Sequence, residues 1–285
     1  MKPIIAICYD FDKTLSPTDM QAQGYIQSGG YDVDEFWKET EKLAKGNDMD
    51  SNLAYMYLMM EKAEGNFELT RRALEEYGSK VLLNPGVATW FDRINAYGKK
   101  KGIETEHYIV SSGLREMIEG TEIAKNGVFK RIYASSFLYD NSGKAVWPAQ
   151  TVNYTNKTQF LFRISKGCLD VNDKQVNDKF AADEYHVPFR NIVYIGDSET
   201  DIPCMKLVNS YGGHSIGVFD GTSDGRVKQM MRDDRIRYYA KADYSEGQEL
   251  EGILKLIIDN TAAYEMLEER HSLNVKDIVG NSDFK

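Results

Sequence analysis

Two aspartates separated by one apolar residue, Asp10 and Asp12 in YDFDKTLS, close a short apolar run near the start of the chain. A carboxylate at Asp10 could attack the phosphorus of a phosphate ester and form an aspartyl phosphate, dividing one difficult displacement into two easier ones. Asp12 could then protonate the leaving alkoxide and later take a proton from the attacking water. Neighbouring negative charge favours a carboxyl that holds a proton near neutral pH. The plainer role is a strand end whose two acids face solvent and cap the next turn. A second acidic pair, Asp197 and Asp201, stands in GDSETD. Magnesium prefers hard oxygen ligands with room left for water and a phosphate, and such an ion would hold nucleophile and phosphoryl oxygens together. Capping a turn and a helix start would also account for these two residues. If both pairs meet at one rim, however, several anionic groups stand unpaired unless a cation joins them.

Two further clusters could bind the phosphate. Ser111 offers a hydroxyl, while Ser112 and Gly113, expected to open the following helix, offer backbone N–H groups to an anion; a simple cap pair is the alternative. Lys157, in TNKTQFLF at another expected helix start, could place positive charge beside the transferring phosphoryl group, although a lone lysine is commonly solvated.

The elements that must position these residues are legible in the pattern. IIAICYD, HYIVSSG and NIVYIGDS are continuous apolar runs that end in small or acidic residues, as in strands of a parallel sheet covered on both faces. Helices are expected in LREMIEGTEIAK and IPCMKLVNSYG, and further strands in HSIGVF and KADYS. EGQELEGILKLIIDN has helical spacing after Ser245, a candidate cap. RIYASSFLYDNSGKAVWPAQTV predicts a hairpin turning near Asn141 to Gly143. This alternation predicts an α/β fold, a doubly wound parallel sheet, whose ligands gather at the carboxyl ends of the strands. The stretch from Ser16 to Leu83 breaks it with successive helices in DVDEFWKETEKLAKG, SNLAYMYLMMEKAEG and FELTRRALEEYG. We therefore expect a catalytic core of residues 1–15 and 84–285 and a helical insertion over 16–83, with Asn84, Pro85 and Gly86 marking the return.

Composition narrows the functions. The 285 residues are 42% hydrophobic and 28% charged, an ordinary globular balance with length enough for a substantial core. A formal charge of -9 works against nucleic acid or an anionic membrane surface as partner. The N-terminal apolar run is too short for a membrane span or secretory signal. Cys8, Cys168 and Cys204 are far apart and suggest reduced thiols in the cytoplasm, and the four dispersed histidines suggest no histidine metal site.

Taken in order, DFDKT, VSSG, Lys157 in NKT and GDSETD resemble the haloacid dehalogenase-like superfamily of phosphohydrolases. The resemblance implies a Rossmann-like core with Asp10 as nucleophile, Asp12 as acid and base, and Ser111 and Lys157 as phosphate ligands. It places Asp197 and Asp201 on the side of a magnesium ion and makes the backbone carbonyl of Asp12 a metal ligand. Dehalogenases of the superfamily lack an acid at the place of Asp12, and its ion-pumping ATPases carry threonine there, so Asp12 favours phosphatase or phosphotransferase chemistry.

The helical insertion resembles the cap of phosphoserine phosphatase-like members, which closes over the site and contacts the leaving group. Those phosphatases carry a glutamate where this chain has Asp19, and a cap arginine for the substrate carboxylate. SNLAYMYLMMEKAEG has no arginine, and Arg71 and Arg72 come later. Tyr55, Met56, Tyr57, Met59 and Met60 could line a pocket for the leaving group or form a packed helix face. The expectation is a magnesium-dependent phosphatase acting on a small phosphorylated metabolite. A phosphotransferase or mutase using the same intermediate, and a non-catalytic phosphometabolite-binding module, are the alternatives.

Overall fold

The structure is a computed structural model that describes residues 2–181 and 183–282. The expected core range also includes Met1, Ala182 and residues 283–285, which lie outside the described residues. After strand β1 (Ile4–Tyr9) come four helices: α1 (Tyr25–Ser28), α2 (Val33–Gly46), α3 (Ser51–Ala63) and α4 (Arg71–Gly78). The chain continues through α5 (Val87–Lys100), β2 (Glu104–Leu114), α6 (Arg115–Gly120), α7 (Glu122–Lys125), β3 (Phe129–Tyr139) and β4 (Ala145–Gln150). It then forms α8 (Thr158–Lys166), β5 (Ile192–Gly196), α9 (Ile202–Ser210), β6 (His214–Phe219), α10 (Gly225–Arg232), β7 (Tyr238–Lys241) and α11 (Glu249–Ser282).

The strands make one sheet in the order β4-β3-β2-β1-β5-β6-β7, and only the edge strand β4 runs antiparallel to its neighbour. Alternate residues of β1 explain its central place. Ile5, Ile7 and Tyr9 join a core with Trp90 and Phe91 of α5 and Leu254 of α11, whereas Ala6 and Cys8 join the opposite core with Phe160 of α8 and Met205 of α9. A strand apolar on both faces must be covered on both, which a doubly wound sheet provides. From β1 the chain builds first toward β2 and β3, then returns to build toward β5, β6 and β7. This reversal leaves a crevice at the carboxyl ends of β1 and β5.

The helical segment leaves and rejoins the core through a pair of adjacent chains: Asn84 N donates to Leu15 O at 2.8 Å, and its side chain donates to Thr14 O at 2.7 Å. Asp32, Asp50 and Thr70 cap α2, α3 and α4 by accepting main-chain N–H groups. Helix α4 crosses α6 with almost no side chain between them. A β-carbon on Gly78 would stand 2.0 Å from Met117 O, and one on Gly120 would stand 2.1 Å from Glu75 O. Main-chain pairing with the hairpin, Ala145 N to Leu69 O at 2.8 Å, fixes the same end of the segment.

Four local expectations change. Ser112 and Gly113 lie in the last residues of β2, and helix begins only at Arg115. The helix expected in LREMIEGTEIAK divides at Thr121, whose extended backbone lets its hydroxyl cap α7. Strand β7 is Tyr238–Lys241 rather than KADYS, because beyond Ala242 the chain turns inward to bury Tyr244. Ser245 does not cap the last helix: Gly247 takes a left-handed turn, its N–H donates to Glu251 Oε2 at 2.8 Å, and α11 starts at Glu249 and runs far past Asn260.

The glycine crossing yields a stability prediction. Alanine normally favours helix over glycine by about 1 kcal/mol, but a methyl group here meets rigid main chain. Gly78→Ala and Gly120→Ala should each destabilise the protein by about 1–3 kcal/mol, measured by urea unfolding. Equal or greater stability would show that the crossing can yield.

Candidate active site

Asp10 follows β1 directly, and its N–H donates to Ile195 O at 2.9 Å, so sheet pairing fixes its backbone. Its buried carboxyl meets Lys157, which is fully buried in the turn before α8. Lys157 Nζ lies 3.2 Å from Asp10 Oδ1 and 2.7 Å from Asp201 Oδ1. Burial opposes the lysine's charge, and the two carboxylates outweigh it and hold it protonated.

Asp201 organises this end of the sheet. Its Oδ1 accepts from Lys157 and from Tyr194 OH at 2.8 Å, while its Oδ2 accepts from Asp197 N, Ser198 N and Ser198 Oγ at 3.2, 3.2 and 3.3 Å. Asp197 has no such company: its nearest cation is the largely exposed Arg226, 3.7 Å away. Asp10, Asp197 and Asp201 each offer a carboxylate oxygen within 4.8 Å of the others. Three buried acids around one lysine leave an excess of negative charge, which fits a hard divalent cation. Burial raises Asp10 to about 6 against the pull of Lys157, and burial with the charges of Asp201 and Asp10 raises Asp197 to about 8.

Asp12 points away from that cluster. Burial, then Asp19 and Asp10, hold its carboxyl well above the usual carboxylate range, and its Oδ1 accepts from Met20 N at 2.7 Å. Between them Lys13 takes a left-handed conformation and pairs with Asp19 at 2.9 Å. Gly113 makes room for this arrangement, since a β-carbon there would lie 2.9 Å from Asp12 Oδ2 and 2.4 Å from the methyl group of Met20.

At the end of β2, Ser111 Oγ is buried and accepts from Gly113 N at 3.1 Å. Ser112 O accepts from Tyr55 OH of α3 at 3.0 Å and from Ser135 Oγ at 3.1 Å, while its own buried hydroxyl has no partner among the described residues. An unpartnered buried hydroxyl lining the same cavity as Ser111 and Asp10 is open to a polar ligand such as a phosphate. Asp10, Asp12, Ser111, Ser112, Asp197 and Arg226 all line one cavity of about 220 Å³. The expected strand-end residues therefore converge, with Lys157 beneath Asp10 and Gly113 behind Asp12.

Sequence reasoning passed over Tyr194, which braces Asp201, and Arg226, in the first turn of the helix that follows β6. The rule that ligands gather at strand ends was the available signal for Arg226. The insertion residues resolve toward packing: Tyr55, Met56 and Met59 are buried and Tyr57 is exposed. None of these, nor the partly buried Met60, lines the cavity. Arg71 pairs with Glu119 at 3.1 Å and lies over the Tyr139 ring, and Arg72 pairs with Glu76 on the surface.

A family model described as haloacid dehalogenase-like hydrolase matches residues 7–206. A protein of Borreliella burgdorferi is 30% identical, over 87% of this chain and 94% of its own length. Among solved structures, a probable phosphoserine phosphatase from Vibrio cholerae is 15% identical with a TM-score of 0.58, covering 93% of this chain and 67% of that one. A HAD family hydrolase from Salmonella enterica serovar Typhi is 15% identical with a TM-score of 0.56, covering 84% and 67%. These two likenesses establish the shared fold. Among the described residues no helix is long and apolar enough to cross a membrane.

The raised carboxyls predict a pH-dependent response to magnesium. An unfolded aspartate titrates near about 3.9, so the folded, metal-free chain binds more protons here and loses stability at this site as pH rises toward about 8. Protons also compete with a cation for the same oxygens. The rise in melting temperature on adding magnesium should therefore be small near about pH 5 and grow toward about pH 8. Scanning calorimetry with magnesium and with chelator measures it, and an increment that does not change with pH would contradict the assignment.

Proposed function

The chain belongs to the haloacid dehalogenase-like hydrolases, and from that membership we propose that it hydrolyses a small phosphate monoester through an aspartyl phosphate on Asp10. The observation that carries this reading is the division of state between two neighbouring carboxyls. Asp10 has one oxygen held by buried Lys157, whereas Asp12 is turned aside, hydrogen-bonded to Met20 N and biased toward its protonated form.

In the first step the Asp10 oxygen not held by Lys157 attacks phosphorus. The new O–P bond forms as the bond to the ester oxygen breaks, and the electron pair leaves with that oxygen. Asp12 supplies the proton that makes it an alcohol. In the second step Asp12, now a carboxylate, takes a proton from water as the water oxygen attacks phosphorus, which releases phosphate and restores Asp10. Ser111, the hydroxyl and main-chain N–H of Ser112, and Lys157 serve the phosphoryl oxygens, while the expected Gly113 N–H is instead held by Ser111 Oγ.

Asp10, Asp197 and the carbonyl of Asp12 are the groups that would hold magnesium. The five donors on Asp201 leave it the role of fixing Lys157 and the Asp197 turn. When bound, such an ion supplies positive charge that screens the approach of carboxylate to phosphate.

We further assign residues 16–83 as a cap over a core of 1–15 and 84–285, a division supported by the Leu15 and Asn84 pairing at the junction. Both arginines of that cap are engaged in ion pairs, which weighs against an amino-acid carboxylate held as in phosphoserine phosphatases. Three free, buried thiols support a reducing, cytoplasmic setting.

Asp10→Asn should abolish magnesium-dependent release of phosphate from p-nitrophenyl phosphate while leaving the urea unfolding midpoint close to that of the parent. Full turnover in that variant would refute the reading. Asp12→Asn should slow turnover by about 10²–10⁴-fold, and acid quenching should trap phosphate on the parent protein but not on Asp10→Asn.

A further inference from the structure

The catalytic cavity opens into a larger cleft of about 430 Å³, and Lys13, Asp197 and Arg226 line both. The cleft lies between the turn after β1, at Pro17 and Thr18, and the connection from β6 into α10. No residue of helices α1 to α4 lines either space. With the insertion packed as it is, room for a leaving group beside the carboxylates exists on the β6–α10 side of the core.

The cleft's charges are unequally committed. Lys13 pairs with Asp19 at 2.9 Å, and Asp220 accepts from Thr222 N and Oγ1 at 2.8 and 2.7 Å, closing its own turn. Asp197 belongs to the catalytic cluster. Arg226 is 62% exposed in its side chain, and among the described residues its one ion pair is the long 3.7 Å approach to Asp197 and its guanidinium makes no hydrogen bond. A guanidinium with a free donor fork, set at the mouth of a phosphate site, is matched to carboxylate or phosphate oxygens. Around it, Pro17, Phe219 and Val227 offer apolar contact, and Thr222 and Ser223 offer hydroxyls.

We propose that Arg226 is a specificity residue and that the preferred substrates are phosphate monoesters whose leaving group carries a second anion, a carboxylate or another phosphate, seated in the β6–α10 cleft. The proposal rests on the phosphatase reading. It moves the choice of substrate from the cap helices, where the sequence placed it, to the β6–α10 side of the site, faced by Pro17 and Thr18 at the start of the insertion.

The test compares kcat/KM for phosphoglycolate, which carries a carboxylate, for fructose 1,6-bisphosphate, which carries a second phosphate, and for ethyl phosphate, which has neither. The parent should favour at least one of the two anionic esters over ethyl phosphate by about tenfold or more, and which one identifies the anion. Arg226→Gln should bring that ratio close to one, and Arg226→Lys should restore part of it. A ratio unchanged in Arg226→Gln, or a parent indifferent to the second anion, would overturn the subsite while leaving the phosphatase intact. Failure of the parent to hydrolyse any of the three or p-nitrophenyl phosphate would overturn the reading beneath it.

Discussion

The site depends on one buried ammonium. Lys157 lies without solvent between Asp10 and Asp201, and an isolated charge at that depth would be prohibitively costly. Its two carboxylates make the burial possible, and each is fixed by a different element: Asp10 by pairing of β1 with β5, Asp201 by Tyr194 and the turn after β5. One contact thus joins the turn before α8 to the two central strands. Removing Lys157 would leave two buried carboxylates uncompensated, whereas loss of the Asp10 charge leaves the lysine its shorter pair with Asp201, so the unit of Asp10, Lys157 and Asp201 depends first on the lysine.

That unit also separates the roles of the acids. Lys157 draws on Asp10 and Asp201 but does not reach Asp12, whose neighbours are Asp19, Asp10 and the Met20 N–H. Burial raises both carboxyls, only two residues apart, but Lys157 pulls against the rise at Asp10 alone, so the two are biased to different extents, as the proposed roles of nucleophile and proton carrier require. Backbone geometry makes the division possible, since the left-handed Lys13 turns the chain sharply after Asp12 and the glycine at position 113 leaves the space into which Asp12 is turned.

What the sequence made legible was local. Asp10, Asp12, Asp197 and the two serines announce themselves because short apolar runs mark strands, and strand ends in this fold class are where ligands gather. The three helices read from DVDEFWKETEKLAKG, SNLAYMYLMMEKAEG and FELTRRALEEYG are found within those segments as α2, α3 and α4. Lys157 could be ranked only through its order among the other motifs, because its significance comes from partners 147 and 44 residues away. Asp201 could be read as an acid beside a cation, and it does stand with Asp10 and Asp197, but its five donors, from Lys157, Tyr194 and the Asp197–Ser198 turn, could not be placed from spacing. Arg226 stands in the first turn of α10 among polar residues that resemble any solvated surface, and the seam between Gly78 and Gly120 depends on two helices meeting at one point. No spacing rule anticipates either.

The cap and the cleft bear on each other through the kinds of contact that hold the cap in place. At the α4–α6 crossing, main chain lies on main chain, and separating the helices would expose packed surface without a ready substitute. Nearer the active site the cap is held by Tyr55 to Ser112 O, Asn52 to Val152 O and Asn153 to Asp50, hydrogen bonds of 3.0, 2.6 and 3.0 Å that water can replace. Each such exchange costs about 0.5–1.5 kcal/mol, so motion that loosens the α3 end while keeping the glycine seam is the less costly deformation. Even that motion disturbs Ser112, because its carbonyl carries the Tyr55 contact. Among the described residues no hydrogen bond or ion pair ties helices α1 to α4 to the β6–α10 side, where only Pro17 and Thr18 of the insertion face the cleft, and a ligand entering there leaves the phosphate cradle undisturbed. A core-side cleft thus reconciles a cap tied to the catalytic strand ends with a site that must still admit its substrate.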